Sequence, residues 1–300
     1  MRARNRRFKV VASIFLATTL STGCSIRFMY RQLDWLVPWY VYDYVSLEST
    51  QRSLLEQRLL SQLEWHCTTQ LPAYSEWLSE IAVDPVEALS RPSLDKHYQQ
   101  LVQYWRILVG KLSPDIATLL ATASDAQIDE LMASLEKRNQ EIYERIVSAE
   151  PDERAQRRIR EMVKQLHRWM GPLSTVQIRR VERWGRDIGP IGLQWVESRR
   201  KWQETLRETL ADRGEMNIFE PRIRELMVSP EKLWNAEFAK AVAQNEDKTL
   251  QLISELVPTL DERQREHLKS RLTGWAEDFE VLACSEGRWD LDIEVPEASR

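Results

Sequence analysis

Glycine is scarce in this chain, at 9 of 300 residues, histidine occurs four times and cysteine three times. There is neither a glycine loop shaped to cradle phosphate nor a nucleophile elbow. His66, His97, His167 and His267 fall in separate segments, and none belongs to an HExxH pair. Neighbouring residues such as His66 and Cys67 point to different sides of a helix, so they do not make a metal site by themselves. Strand-type alternation of apolar and polar residues is missing as well. The apolar run from Val10 to Leu20 has eleven residues, well short of the roughly 20 needed to span a bilayer. Paired carboxylates are plentiful among 46 acidic residues, but on charged helices their usual role is solvation. No cofactor, metal or catalytic residue is expected, and an unrecognised envelope hydrolase stays only as an alternative.

The N-terminus determines the expected address. Arg2, Arg4, Arg6, Arg7 and Lys9 precede the apolar run without any acid, which is the build of an export signal that is removed from the mature protein. The run ends in Leu20-Ser21-Thr22-Gly23-Cys24. This order resembles the lipobox of bacterial lipoproteins, with Ser21 at the position where leucine is usual. The resemblance implies removal of residues 1–23, lipidation of Cys24 and membrane attachment. Ser25 follows where an aspartate would favour the inner membrane, so the expected location is the periplasmic face of the outer membrane. Nucleic acid is a poor partner for an exported chain.

Removing residues 1–23 takes five of the 42 basic groups and leaves 37 against 46 acidic ones. A hydrophobic content of 43% suits one large core or two smaller ones. Apolar residues recur at three or four in Ile128, Leu131, Met132, Leu135, Ile142, Ile146 and in Leu268, Leu272, Trp275, Phe279, Leu282, the helical period. The expected fold is all-α, an elongated or curved array of about ten to twelve helices. Helices are expected over 28–44, 49–69, 72–82, 94–111, 114–121, 125–148, 152–169, 174–187, 191–212, 219–228, 230–256 and 261–283, with ends uncertain by ~2 to 4 residues. Asp84-Pro85, Ser113-Pro114 and Ser229-Pro230 each put a capping side chain before a proline suited to a first helical turn. Residues 24–287 form one helical domain on this reading, with an acidic flexible tail at 288–300. Twelve tryptophans, including the pairs Trp65–Trp77 and Trp195–Trp202, read as packing anchors.

One helix-start pattern occurs four times: Leu47-Glu48-Ser49-Thr50-Gln51, Ala123-Ser124-Asp125-Ala126-Gln127, Leu173-Ser174-Thr175-Val176-Gln177 and Leu260-Asp261-Glu262-Arg263-Gln264. In the last three, Ser or Asp can cap while glutamine at the third helical position reaches back. The motif also resembles the Leu-Thr-x-x-Gln repeats of small periplasmic helical chaperones, and distantly the repeated helices of lipase-specific foldases. That resemblance implies a client-wrapping role.

A further resemblance rests on Cys24-Ser25, Arg27 to Tyr30, Asp34-Trp35-Leu36, Trp39, Asp43-Tyr44, Leu47 to Gln51, Trp65-His66 and Leu71 to Leu78. Together they look like an uncharacterised family of proteobacterial helical lipoproteins known by a domain of unknown function, and Leu260 to Leu272 is similar to its C-terminal helix. The resemblance implies a location rather than an activity.

Two further stretches are candidates for contact. Phe28, Tyr30, Trp35, Trp39, Tyr40, Tyr42 and Tyr44 lie between Ile26 and Val45, and they suit either a membrane interface or a first core helix. Interfacial helices usually carry basic polar faces, so Asp34 and Asp43 favour the core, where they could pair with arginines elsewhere in the bundle. From Asp152 to Arg213 there are 15 basic and 9 acidic residues. Arg179, Arg180, Arg183 and Arg186 flank Trp184, and Arg199, Arg200 and Lys201 adjoin Trp202, a set able to hold an anionic lipid or envelope polymer. The alternative is a solvated or internally paired helix face.

After lipidation Cys67 and Cys284 remain, candidates for one disulfide in an oxidising compartment if their Cα atoms lie within roughly 7 Å. Closing a loop of about 217 residues gives on the order of 4 to 5 kcal/mol by loop entropy. The functional expectation is an outer-membrane-anchored periplasmic lipoprotein with a non-catalytic binding, scaffold or chaperone-like role, its partners the membrane and envelope proteins or an anionic polymer.

Overall fold

A computed structural model describes residues 24–284. The signal segment 1–23 and the expected tail 288–300 lie outside the described residues. Within them every regular element is helical: Cys24–Tyr30 (α1), Leu33–Tyr42 (α2), Ser49–Trp65 (α3), Leu71–Val83 (α4), Pro85–Ala88 (α5), Arg91–Ala121 (α6), Asp125–Ile146 (α7), Pro151–Met170 (α8), Thr175–Asp187 (α9), Gly192–Leu210 (α10), Met216–Val228 (α11), Ala236–Leu256 (α12) and Glu262–Leu282 (α13). The all-α multi-helix array read from the sequence is therefore the fold.

Two prolines expected at helix starts are accommodated differently. Pro114 sits inside α6, which runs through the break expected at 112–113. A proline inside a helix removes the hydrogen bond to the carbonyl four residues back. Here the freed Gly110 carbonyl accepts from the buried Ser113 hydroxyl at 3.0 Å, so Ser113 repairs the helix rather than capping a new one. Ser229 makes no side-chain cap bond, and Pro230–Leu233 is a short 3₁₀ turn. α12 starts later, where Asn235 Oδ1 accepts from the Phe238 N–H at 2.7 Å.

α3 and α4 likewise form one continuous rod, joined by a π-helical turn at His66–Gln70. Pro72 in the next turn cannot donate to the chain behind it, and widening the turn adapts the ladder to that loss. Hydroxyls take up slack, with Thr68 Oγ1 on the Glu64 carbonyl at 2.8 Å and Thr69 Oγ1 on that of Trp65 at 2.6 Å. The helix expected over 28–44 divides instead into α1 and α2.

Apolar side chains gather into two main cores. One unites α4, α8, α9, α12 and α13 around Leu78, Leu166, Val181, Leu256 and Leu268. The other unites α6, α7, α10 and α11 around Ala117, Ile128, Leu210 and Phe219. The α9–α10 connection passes from the first core to the second. A smaller cluster of Tyr30, Cys67, Leu71 and Leu282 joins α1, the π turn, α4 and α13.

All four glutamine-bearing helix starts are capping boxes, including the first, where Glu48 takes the N-cap position. The glutamines then join in pairs. Gln51 and Gln127 exchange amide bonds at 3.0 and 2.7 Å, and Gln177 and Gln264 do so at 3.0 Å in both directions. Each Nε2 also donates to the carbonyl two residues ahead of the partner's N-cap: Thr122, Ser46, Thr259 and Pro172 respectively. The chain thus builds one junction twice, each closing two helix N-termini against each other with the amide groups buried and satisfied.

Candidate functional site

α1 and the end of α13 meet around the π turn. Arg27 Nε pairs with Asp278 Oδ1 at 2.5 Å, and the Tyr30 hydroxyl hydrogen-bonds His66 Nδ1 at 2.9 Å. Burial holds His66 down at about 4, so its ring is neutral, and burial pushes the Tyr30 phenol well above its ordinary value. Cys67 and Cys284 are disulfide-bonded with their Cα atoms 5.2 Å apart, and the Cys284 N–H donates to the Cys67 carbonyl at 3.1 Å. α1 is thereby fastened to the end of α13.

The aromatic residues of α1 and α2 are mostly not core, which corrects that expectation. Phe28, Trp35, Trp39 and Tyr40 are 63%, 56%, 49% and 55% exposed, whereas Tyr30 and Pro38 are buried. Trp35 and Trp39 stack one turn apart, centroids 6.4 Å apart, and the Tyr40 and Tyr44 hydroxyls meet at 3.0 Å. α2 buries Pro38, while Trp35, Trp39 and Tyr42 edge a shallow groove with Glu56, Leu59 and Leu60 of α3. Asp34 accepts the Trp35 N–H at 2.9 Å. Among the described residues neither Asp34 nor Asp43 is in an ion pair, contrary to the bundle pairing expected for them. Of the other described tryptophans, Trp105 and Trp195 are exposed, while Trp77, Trp169, Trp184, Trp202 and Trp275 are partly buried against the two cores, as expected of packing anchors.

A second feature lies where the two cores meet. A cleft of about 1020 Å³ opens between the end of α7, α8, the α9–α10 connection and α12. Its floor is apolar, with Trp184, Trp195, Val242 and Leu250. Asn245 clamps the connection to α12, its Oδ1 accepting from the Gly189 N–H at 2.9 Å and its Nδ2 donating to the Gly189 carbonyl at 3.0 Å. Trp184 Nε1 donates to Thr249 Oγ1 at 3.2 Å.

Arg154, Arg157 and Arg158 of α8 line one side of the cleft. They share a helix face at spacings of three and four. Arg154 donates to the Val147 carbonyl at 2.8 Å and Arg158 to that of Gly185 at 3.0 Å, while Arg157 reaches the Arg145 carbonyl. Burial and the neighbouring Arg154 charge hold the Arg158 guanidinium below its usual range. The buried Arg158 Nε has no hydrogen-bond partner. Glu161 and Glu246 are the acids of the lining, and Glu246 accepts from the Tyr98 hydroxyl at 2.6 Å.

The basic residues singled out in the sequence are spread over several surfaces. Arg180 donates to the Glu255 carbonyl at 2.9 Å, Arg199 to Asn139 Oδ1 at 3.0 Å, Arg200 binds Glu136 through two nitrogens at 3.1 and 2.6 Å, and Lys201 binds Glu204 at 2.9 Å. Arg179, Arg183 and Arg186 are exposed on α9. The cleft arginines were not singled out, although their spacing and their place in the basic 152–213 stretch were the available signal. Among the described residues no cluster of three His, Cys, Asp or Glu could hold a metal. The histidines hydrogen-bond within the fold, with His97 Nδ1 accepting from Trp77 Nε1 at 3.1 Å and the exposed His267 ring on the Arg168 carbonyl at 3.1 Å. No helix among the described residues is long and apolar enough to cross a membrane.

A model of a family of unknown function, DUF6279, matches residues 43–239, well over half of the chain, and the chain belongs to that family. No curated protein and no solved structure matches it.

Proposed function

We propose that this member of the DUF6279 family is a lipoprotein, acylated on Cys24 and held at the periplasmic face of the outer membrane, where it acts as a non-catalytic binding or scaffold protein of the cell envelope. The observation that carries this reading is the exposed row of Phe28, Trp35, Trp39 and Tyr40 within the first turns after Cys24. Rings of this kind gain most at headgroup depth, where the apolar body meets acyl chains and the polar edge meets water. A lipid anchor is more durable when a second membrane contact supports it. The bonds fastening α1 to α13 and the π turn would hold the rest of the array at a set orientation to that surface.

The test is intact-mass analysis of protein from fractionated membranes, wild type against Cys24→Ala. Loss of residues 1–23 with added acyl mass, abolished by the substitution, is the expected result. A chain that is neither cleaved nor acylated overturns the reading.

A further inference from the structure

We propose that the cleft between the two cores binds a long-chain carboxylate, its hydrocarbon against Trp184, Trp195, Val242 and Leu250 and its head between Arg154 and Arg158. The inference goes beyond membrane attachment and does not depend on it.

Size is the first argument. At about 1020 Å³ the cleft stands at the upper end of the roughly 300–1,000 Å³ that hold small-molecule ligands. Its shape is built in rather than incidental, because the Asn245 clamp and the Trp184–Thr249 bond fix the connection and one ring of the floor. An apolar cleft edged by a few polar groups is the usual build of a small-molecule site.

Charge then selects the class of amphiphile. Arg157 is paired with Glu153 at 3.9 Å, whereas Arg154 and Arg158 are in no ion pair among the described residues, and the lining acid Glu246 already accepts from Tyr98. Arg154 and Arg158 stand one helical turn apart, where like charges repel. Each donates to a backbone carbonyl, a neutral acceptor that leaves its charge uncompensated. Burial beside the Arg154 charge disfavours the Arg158 cation, and a carboxylate placed against this guanidinium from the cleft would relieve that. A planar carboxylate suits a guanidinium fork, with two parallel N–H bonds to its two oxygens. A neutral lipid would leave this cluster unanswered and a cationic one would be repelled.

The test uses the mature chain, residues 24–300 carrying Cys24→Ala and produced without residues 1–23, so that neither an acyl group nor the apolar signal segment competes. cis-Parinaric acid is titrated with energy transfer from tryptophan as the signal, then displaced with palmitate, hexadecanol or hexadecyltrimethylammonium. Saturable one-to-one binding is expected, with palmitate displacing at least about tenfold better than the cation. Arg154→Gln with Arg158→Gln should weaken palmitate by about tenfold or more while leaving hexadecanol within about threefold. Leu193→Glu, at a half-exposed lining position and so free of a folding requirement, should weaken palmitate as well. Absence of saturable binding overturns the proposal, as do equal displacement by the three head groups and binding indifferent to both variants. A dimer that dissociates on Leu193→Glu would make a second copy the occupant and overturn it too.

Discussion

The side-chain amides of Gln177 and Gln264 donate to each other's oxygens at 3.0 Å, across 87 residues of sequence. Each oxygen also accepts from its own N-cap N–H, so one residue type serves helix capping and tertiary pairing together. Gln51 and Gln127 repeat the arrangement. The recurrence of the motif is therefore explained by architecture, without a client.

Gln177→Leu alone should destabilise the fold by about 2 kcal/mol, because it removes the partner amide of the buried Gln264 and opens the α9 cap. Gln177→Leu with Gln264→Leu should cost less than the sum of the two single changes. Urea unfolding of the four chains in a double-mutant cycle reads the coupling, and strict additivity would show that the pair is not a unit.

Reduction of the Cys67–Cys284 bond, whose partners are 217 residues apart, should lower stability by about 2–5 kcal/mol. Cys67 is fully buried, so reduction under native conditions should be slow and should accelerate in mild denaturant. Thiol counting against time, with and without urea, checks both statements.

Acid should weaken the junction at the π turn. The folded pKa of His66, about 4, lies below the ordinary 6.5, so the fold favours the neutral ring. The stability this contributes is complete above pH 6.5 and is lost as pH falls toward 4, on the order of 2–3 kcal/mol. Burial lowers His97 as well, adding in the same direction. His66→Gln should flatten the stability profile between pH 6.5 and 4 in part, measured by urea midpoints across that range; an unchanged slope would mean that His66 is not held neutral.

Trp35→Ser with Trp39→Ser should reduce vesicle flotation of residues 24–300 carrying Cys24→Ala, produced without residues 1–23, by about fivefold or more. Exposed positions away from caps and cores change stability by only about 0.5 kcal/mol, so the melting curve should hardly move. Equal flotation would remove the aromatic face from membrane contact.

Gly185→Ala should cost about 1–3 kcal/mol. A Cβ there would come within 2.3 Å of Ile159 Cγ1, at the closest approach of α9 to α8. The same change should disturb the Arg158 bond to the Gly185 carbonyl, so palmitate binding offers a second readout.

Much of the fold was legible locally. The three-and-four recurrence of apolar residues marks most of the helices, and Ser124, Ser174 and Asp261 mark three starts, because capping chemistry acts within one turn. Proline was the misleading signal. Whether it begins a helix or interrupts one depends on whether a neighbour such as Ser113 satisfies the freed carbonyl, and sequence spacing does not show that bond.

The cleft was beyond local reading for another reason. Arg154 and Arg158 form a basic pair in any helix with this sequence, but Trp195, Val242 and Leu250 reach them only because the Asn245 clamp brings the α9–α10 connection onto α12. The rings at 28–44 suit a core or a membrane surface alike, since amphipathic rings serve both, and Asp34 and Asp43 tilt the reading to the core, which the exposure of the rings overturns. By itself the sequence determined the helical class, the helix periods and most of the caps, which depend on interactions within a few residues. Tertiary structure alone decided which glutamines pair, which aromatic rings face outward and where arginines meet an apolar floor, because each requires segments tens to hundreds of residues apart to share one surface.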